Sequence, residues 1–391
     1  MRTIIPNFDR PFGDQNRSLW QASHMSTSRF RLAIVLPLIL LGACSGSSGS
    51  SSTDTQVSDV TTPSSEPEST EPPTCSAPGV RACLLPWPDN RLTVADPSTD
   101  TGRRLAIPAD AVPVNVDGVA MDVTDQNRAD GFSPNSAIVF AADGVDLDAS
   151  GVPDSTSIER SMESGMTTTI IDSATGDKVP FWGELDGQSG LVTLRPAIAL
   201  TEGHTYVVTV GGLLDASGAP IELDRPTWDF TVASERSLSG RLLTMRDVAY
   251  EQIADGVPAF TVDSVTPGDV RTVEGTLSIP NFLDNDGGPG GSLLLDEKGS
   301  PVVNADHPTY DAAYRCVVPN SVDSPVPALL YGHGLMGNRG QVDFFGTFAA
   351  QGQIAACAVD WLGMATEDVG NLAGILADMG RFNEQADRML M

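Results

Sequence analysis

Between about Val145 and Ser234 the apolar residues come in runs too short for helices and too regular for loops. TTTIID, GLVTLRP, HTYVVTV and TWDFTVA are rich in Val, Thr and aromatic residues. They are separated by SATGD, DGQSG and DASGAP, in which Gly and Asp supply the turn conformations a hairpin needs. Evenly spaced short strands of this kind bury one face each and must pair antiparallel. The spacing therefore predicts a sandwich of immunoglobulin-like type over residues 145–235. No Cys-Trp-Cys arrangement accompanies it, so the likeness is one of architecture only.

The pattern changes downstream. Leu238, Leu242, Met245, Val248, Ala249 and Ile253 recur at helical spacing, which predicts a helix over Ser237–Ala254 with one apolar face. FTVDSV, GTLSIPNFL and YRCVVP then read as strands. PALLYGHG reads as a buried strand ending in a glycine-flanked turn, Asn338–Gln351 as a helix, IAACAVDWLG as a second buried strand and Leu372–Met391 as helical. Antiparallel strands leading into strand–helix–strand–helix indicate an α/β sheet with crossover helices. The expected fold class is thus mixed β and α/β: a β-rich region over 75–144, the sandwich over 145–235, and an incomplete α/β sheet over 236–391.

Ahead of these lies a different kind of sequence. Arg29 and Arg31 precede an apolar run from Leu32 to Leu41, too short for the roughly 20 residues a bilayer span requires. It ends in Leu41-Gly42-Ala43-Cys44. A charged start, a short apolar core and small residues at a cut site are the marks of a signal peptide, expected over 25–43 with Met25 as its natural start and 1–24 as a mis-assigned beginning. The cysteine after Leu-Gly-Ala resembles the lipobox of bacterial lipoproteins, which implies acylation of Cys44 and a membrane partner reached through that lipid anchor. Residues 44–74 are Ser, Thr, Pro and Glu with almost nothing to bury, a flexible tether.

Four cysteines remain: Cys75, Cys83, Cys316 and Cys357. An even number in an exported chain suggests two disulfides. Of three possible pairings the local ones, Cys75–Cys83 and Cys316–Cys357, are favoured, at roughly 2.5 and 4 kcal/mol on chain-entropy grounds. No C-x-x-C spacing points to zinc, and no cofactor motif is present. Asp284 and Asp286 in LDNDGGPGGS lack the ligand series and distal Glu of a calcium loop and read as a solvated turn. The formal net charge of −28 argues against nucleic acid as a partner, since phosphate needs a basic footprint. It equally argues against attraction to anionic headgroups and fits a repulsive, soluble surface.

One segment points to chemistry: Leu329-Leu330-Tyr331-Gly332-His333-Gly334-Leu335-Met336-Gly337. A strand ending in a His-Gly turn presents backbone N–H groups at the carboxyl end of a sheet. Such a donor stabilises the oxyanion of acyl transfer by about 2.7–4 kcal/mol. Glycine lets the backbone approach a substrate unobstructed. The backbone candidates are Gly334, Leu335 and Met336, with Leu335 foremost. This segment resembles the oxyanion turn of the α/β-hydrolase superfamily, in particular secreted bacterial lipases and esterases. LPWPDNRL, DGFSPNSAIVF, TWDFTVAS and GTLSIPNFL are similar to the lead-in of the bacterial virulence-factor lipases. The resemblance spans about residues 75–391 and implies a carboxylic-ester or lipid substrate for the full-length protein. It casts His333 as a residue that shapes the oxyanion loop, not as the catalytic base.

The same resemblance implies a Gly-x-Ser-x-Gly nucleophile elbow on a later strand, followed by an acid and a histidine. That pentapeptide does not occur in the chain, and His24, His204 and His307 sit elsewhere. The expectation is a front portion of a surface-anchored ester hydrolase that is itself inactive. Trp361 and Met364 are candidates for an acyl-pocket lining or for rim packing. The competing reading is an envelope lipoprotein that binds or adheres through its sandwich, since such sandwiches host many binding functions.

Overall fold

The computed structural model describes residues 75, 79–253, 256–320, 322 and 324–391, all within one compact unit. The expectations for residues 1–74, including the signal sequence, Cys44 and His24, lie outside the described residues.

The chain begins with the short helix α1 (Val80–Cys83) and a ribbon of β1 (Thr93–Ala95) against β2 (Arg103–Leu105). Next come β3 (Ile138–Ala141), β4 (Val145–Asp146), β5 (Thr169–Asp172), β6 (Phe181–Asp186), β7 (Leu191–Pro196), β8 (Thr205–Thr209), β9 (Leu214–Asp215) and β10 (Thr227–Thr231). They form two three-stranded antiparallel sheets, in the orders β10-β8-β5 and β3-β7-β6, plus the small pair β4-β9. The inward residues follow from the period-2 alternation. Ile170, Tyr206, Val208 and Phe230 face Ile138, Phe140, Phe181, Val192 and Leu194 in one buried cluster. Phe140 meets Trp228 edge-on across that core at 6.1 Å.

One expectation changes here. Leu92, Leu105, Phe132 and Ile138 belong to the same cluster, and β3 hydrogen-bonds β7. The boundary expected at 144/145 therefore runs through a single core, and residues from about 92 to 232 fold together. Gly131 explains part of this join, because a Cβ there would lie 2.6 Å from the Ala233 nitrogen. The close approach lets Phe132 N–H reach Thr231 O at 2.9 Å.

Helix α2 (Glu235–Ile253) leaves the sandwich. It forms where the helical spacing predicts, but its apolar face is not buried as expected. Among its residues only Met245 is buried, while Leu238 and Leu242 are 42% and 49% exposed. Its apolar packing is with the small cluster of Phe282, Leu283 and Leu293, met by Met245 and Val248.

A five-stranded sheet follows: β11 (Ser264–Thr266), β12 (Val270–Pro280), β13 (Thr309–Pro319), β14 (Ala328–Leu330) and β15 (Ala355–Val359), in the order β11-β12-β13-β15-β14. Every neighbouring pair is antiparallel except β14 and β15, which are parallel. The crossover between those two is a 3-10 segment (Arg339–Phe345) and helix α3 (Gly346–Gly352). Val342 and Ala349 pack on Val317, Ala356 and Ala358, and the small alanines let the crossover sit close. Arg315 clamps it, bonding Asp343 and Glu274 at 2.7 Å each. Asp343 first, then Glu274, pushes this guanidinium above its ordinary pKa.

β15 is buried as predicted, but β14 is not: Leu329 and Leu330 are 37% and 76% exposed. β14 has a partner on one side alone among the described residues, so its outer edge faces solvent. Helices α4 (Val369–Ala377) and α5 (Phe382–Leu390) complete the chain, with a break over Asp378–Arg381 in place of the continuous helix expected. Both disulfides form with the local pairing, and Cys316 and Cys357 are directly opposed on β13 and β15. They suit an oxidising, extracytoplasmic setting. Among the described residues no helix is long and apolar enough to cross a membrane.

Candidate active-site turn

The parallel pair ends, at its carboxyl side, in two loops that touch: residues 331–338 after β14 and 360–368 after β15. Gly337 and Ala365 form a parallel bridge, and Thr366 N–H reaches Gly337 O at 2.8 Å. Residues Gly334 to Gly337 make a tight turn closed by Gly337 N–H on Gly334 O at 2.8 Å. Met336 occupies its third position with φ +53°, a left-handed conformation that glycine would adopt more readily.

His333 is 6% exposed, and both ring nitrogens are engaged. Its Nε2 accepts the Trp361 backbone N–H at 2.8 Å, so that nitrogen carries the lone pair. The ring hydrogen is then on Nδ1 and is donated to Gly334 O at 2.8 Å. Neither nitrogen is available to take a proton from a nucleophile. His333 instead ties the turn to the start of the neighbouring loop.

The backbone donors of the turn are unequal. Gly334 N–H is held by Gln341 Oε1 at 3.0 Å, and Met336 N–H by Met364 O at 2.9 Å. Gly337 N–H closes the turn itself. Leu335 N–H has no hydrogen-bond partner among the described residues, and Leu335 is 73% exposed. Of the three candidates, Gly334 and Met336 have spent their N–H groups, and Leu335 keeps its own free.

No protein-family model matches this chain, and none of the curated proteins or solved structures compared with it matches either.

The remaining candidates fall into place around the turn or away from it. Trp361 is 48% exposed and Met364 half-buried beside Met336, and both act on the turn through backbone atoms. Asp360, which no motif marked, takes Arg339 N–H at 2.6 Å and ion-pairs with the Arg339 side chain. It thereby pins the start of the crossover to the end of β15. Gln341 was equally invisible in the sequence: its contact depends on a 3-10 segment folding back over the turn, and no residue-type spacing announces that.

The other histidines are elsewhere. His204 Nδ1 meets Asp172 Oδ2 at 2.8 Å within the sandwich. His307 lies in a loop where its backbone joins a network centred on buried Asn281 and Asn304. Asp284 and Asp286 each accept N–H groups of their own loop, from Ser292 at 2.9 Å and Gly288 at 3.2 Å. The close metal-type cluster among the described residues is Cys75, Cys83 and Asp110, and its two cysteines are joined as a disulfide. A cavity of about 370 Å³ lies between residues 119–128, Leu293 and α5, and no residue of the turn lines it.

Proposed function

We propose that residues 236–391 are the front portion of an α/β-hydrolase-type catalytic domain and that the turn after β14 supplies one backbone donor of its oxyanion hole. The observation that carries this reading is the free Leu335 N–H, held at the carboxyl end of a parallel strand pair by a turn whose other amides are occupied. An amide fixed in place before the reaction stabilises developing negative charge without reorganising, which is how such donors work. In enzymes of this type one oxyanion donor comes from the loop after the third strand and the second from the residue following the nucleophile. The mixed sheet, antiparallel up to β15 and parallel where the crossover enters, supports the same reading.

The substrate class is a carboxylic ester, and the nucleophile belongs to sequence beyond these residues. Leu41-Gly42-Ala43-Cys44 and the two disulfides support an exported protein held at a membrane by an acylated Cys44.

A fluorophosphonate probe, which labels activated serines, tests the proposal on the protein made from its own gene. An antibody raised against residues 75–391 should capture a species that carries the label, while this 391-residue chain alone neither labels nor turns over para-nitrophenyl butyrate. A captured species that stays unlabelled, in an extract whose other serine hydrolases label, would overturn the reading.

A further inference from the structure

We propose that Gln341 is a positioning residue of this turn: by holding the Gly334 N–H it leaves Leu335 as the one amide of Gly334–Gly337 without a partner among the described residues. The inference rests on the hydrolase reading above and adds to it a residue that acts through another.

The assignment of the Gln341 amide follows from its surroundings. Gly334 N–H is a donor, so the atom facing it at 3.0 Å must be the carbonyl oxygen, Oε1. Nε2 then lies over Gly337, and a Cβ at 337 would collide with it and would lie 2.8 Å from Gly334 O. Glycine at 337 is thus favoured first by the backbone of the turn, and it also leaves the glutamine amide its place. Gln341 sits in the 3-10 segment whose start is fixed by two separate devices. Asn338 Oδ1 accepts Gly340 N–H at 2.9 Å, and Asp360 holds Arg339. The side chain is therefore presented from a braced element onto a turn that Met364 O and Trp361 N–H also secure.

Two adjacent free amides would let the peptides of the turn rock and would share an incoming oxyanion between two directions. Occupying Gly334 removes that competitor within the turn. Gln341 itself is exposed, so replacing it opens no cavity and leaves the core intact.

The test is amide hydrogen exchange and amide chemical shift at Gly334 and Leu335 in the isotope-labelled full chain, read for the wild type and two variants. In the wild type Gly334 should exchange more slowly than Leu335. Gln341→Leu should speed exchange at Gly334 by roughly tenfold, the worth of one hydrogen bond, and shift Leu335 while the melting temperature stays put. Gln341→Glu should restore Gly334 protection above the carboxylate's pKa and lose it below, a pH profile that the wild type does not show. Equal exchange at the two glycine-turn amides of the wild type, or a Gln341→Leu variant with Gly334 unchanged, would overturn the role of Gln341. Neither outcome depends on catalysis. Failure of the fluorophosphonate experiment with these amide results intact would leave a braced turn without an oxyanion to receive.

Discussion

Trp361 donates its backbone N–H to Nε2 of His333 across 2.8 Å, joining the exit of β15 to the turn after β14. The partner is a buried ring whose other nitrogen holds Gly334 O, so one side chain satisfies two backbone groups at once. Replacing His333 by Ala leaves both without it. The expected loss is about 1–3 kcal/mol in urea unfolding, the cost of unsatisfied polar groups where water is poorly admitted. A midpoint unchanged from wild type would show that water replaces the ring at no cost.

Arg388 is 1% exposed and pairs with Asp368, which is fully buried. Its Nε also reaches Gly287 O at 3.0 Å and its Nη2 reaches Glu367 at 2.6 Å, so α5 is stapled to two loops by one guanidinium. Arg388→Met strands the Asp368 charge and should cost about 3–5 kcal/mol. The double change Arg388→Met with Asp368→Leu should recover much of that, because no lone charge is left behind. Equal losses in the single and double variants would show that the ion pair is not what the single change breaks.

Acid should destabilise this protein through its turns. Asp96 is held at about 2 by the Ser98 hydroxyl, the Arg104 guanidinium and the Ser98 N–H. Asp154, Asp186 and Asp215 are lowered in the same way, each first by a Thr or Ser hydroxyl in its own turn. A carboxylate with a depressed folded-state pKa contributes stability above its unfolded value, and that contribution is lost as pH falls through the folded one. For Asp96 the window runs from the ordinary 3.8 down to about 2. Melting temperatures should fall across it, and Asp96→Ala should flatten that part of the curve. A wild-type and variant pair falling in parallel would refute the assignment.

Asp387 works in the opposite direction. Burial raises its pKa, opposed by the Leu293 N–H that its Oδ2 accepts at 3.0 Å, and Asp125 raises it further. A carboxyl with a raised folded-state pKa lowers stability at pH values above its unfolded pKa, a cost that disappears below that value. Asp387→Asn keeps an acceptor for Leu293 and removes the charge. It should therefore raise the melting temperature at pH 7 and leave it unchanged near pH 3. A variant less stable than wild type at neutral pH would mean that the charge is needed for its neighbouring arginines.

The β-strands were the most legible part of this fold. TTTIID, GLVTLRP, HTYVVTV and TWDFTVA all appear as strands because alternation of apolar residues on a half-buried sheet is a local property. Burial was less legible. Leu329-Leu330 reads like a core strand, yet lies on an open sheet edge, and the apolar stripe of α2 meets a core only around Met245. Hydrophobicity reports what a segment tolerates, and only the positions of the other elements decide whether anything covers it. The boundary at 144/145 failed for the same reason, since the pairing of β3 with β7 joins residues fifty or more positions apart.

The candidate site divides along the same line. Residue identity alone singled out Tyr331-Gly332-His333-Gly334-Leu335-Met336, because a His-Gly turn after an apolar run is a local pattern with a chemical meaning. The count of four cysteines also pointed to two disulfides, with the local pairing favoured among three, and the tertiary structure fixed which sulfurs meet; the acid character of the surface turns was likewise legible. The tertiary structure alone decided which amide of the turn stays free. That choice depends on Gln341, Met364 and Trp361, which reach the turn from the crossover and from the loop after β15. A backbone N–H is the same group at every residue, and its availability is a matter of what folds against it.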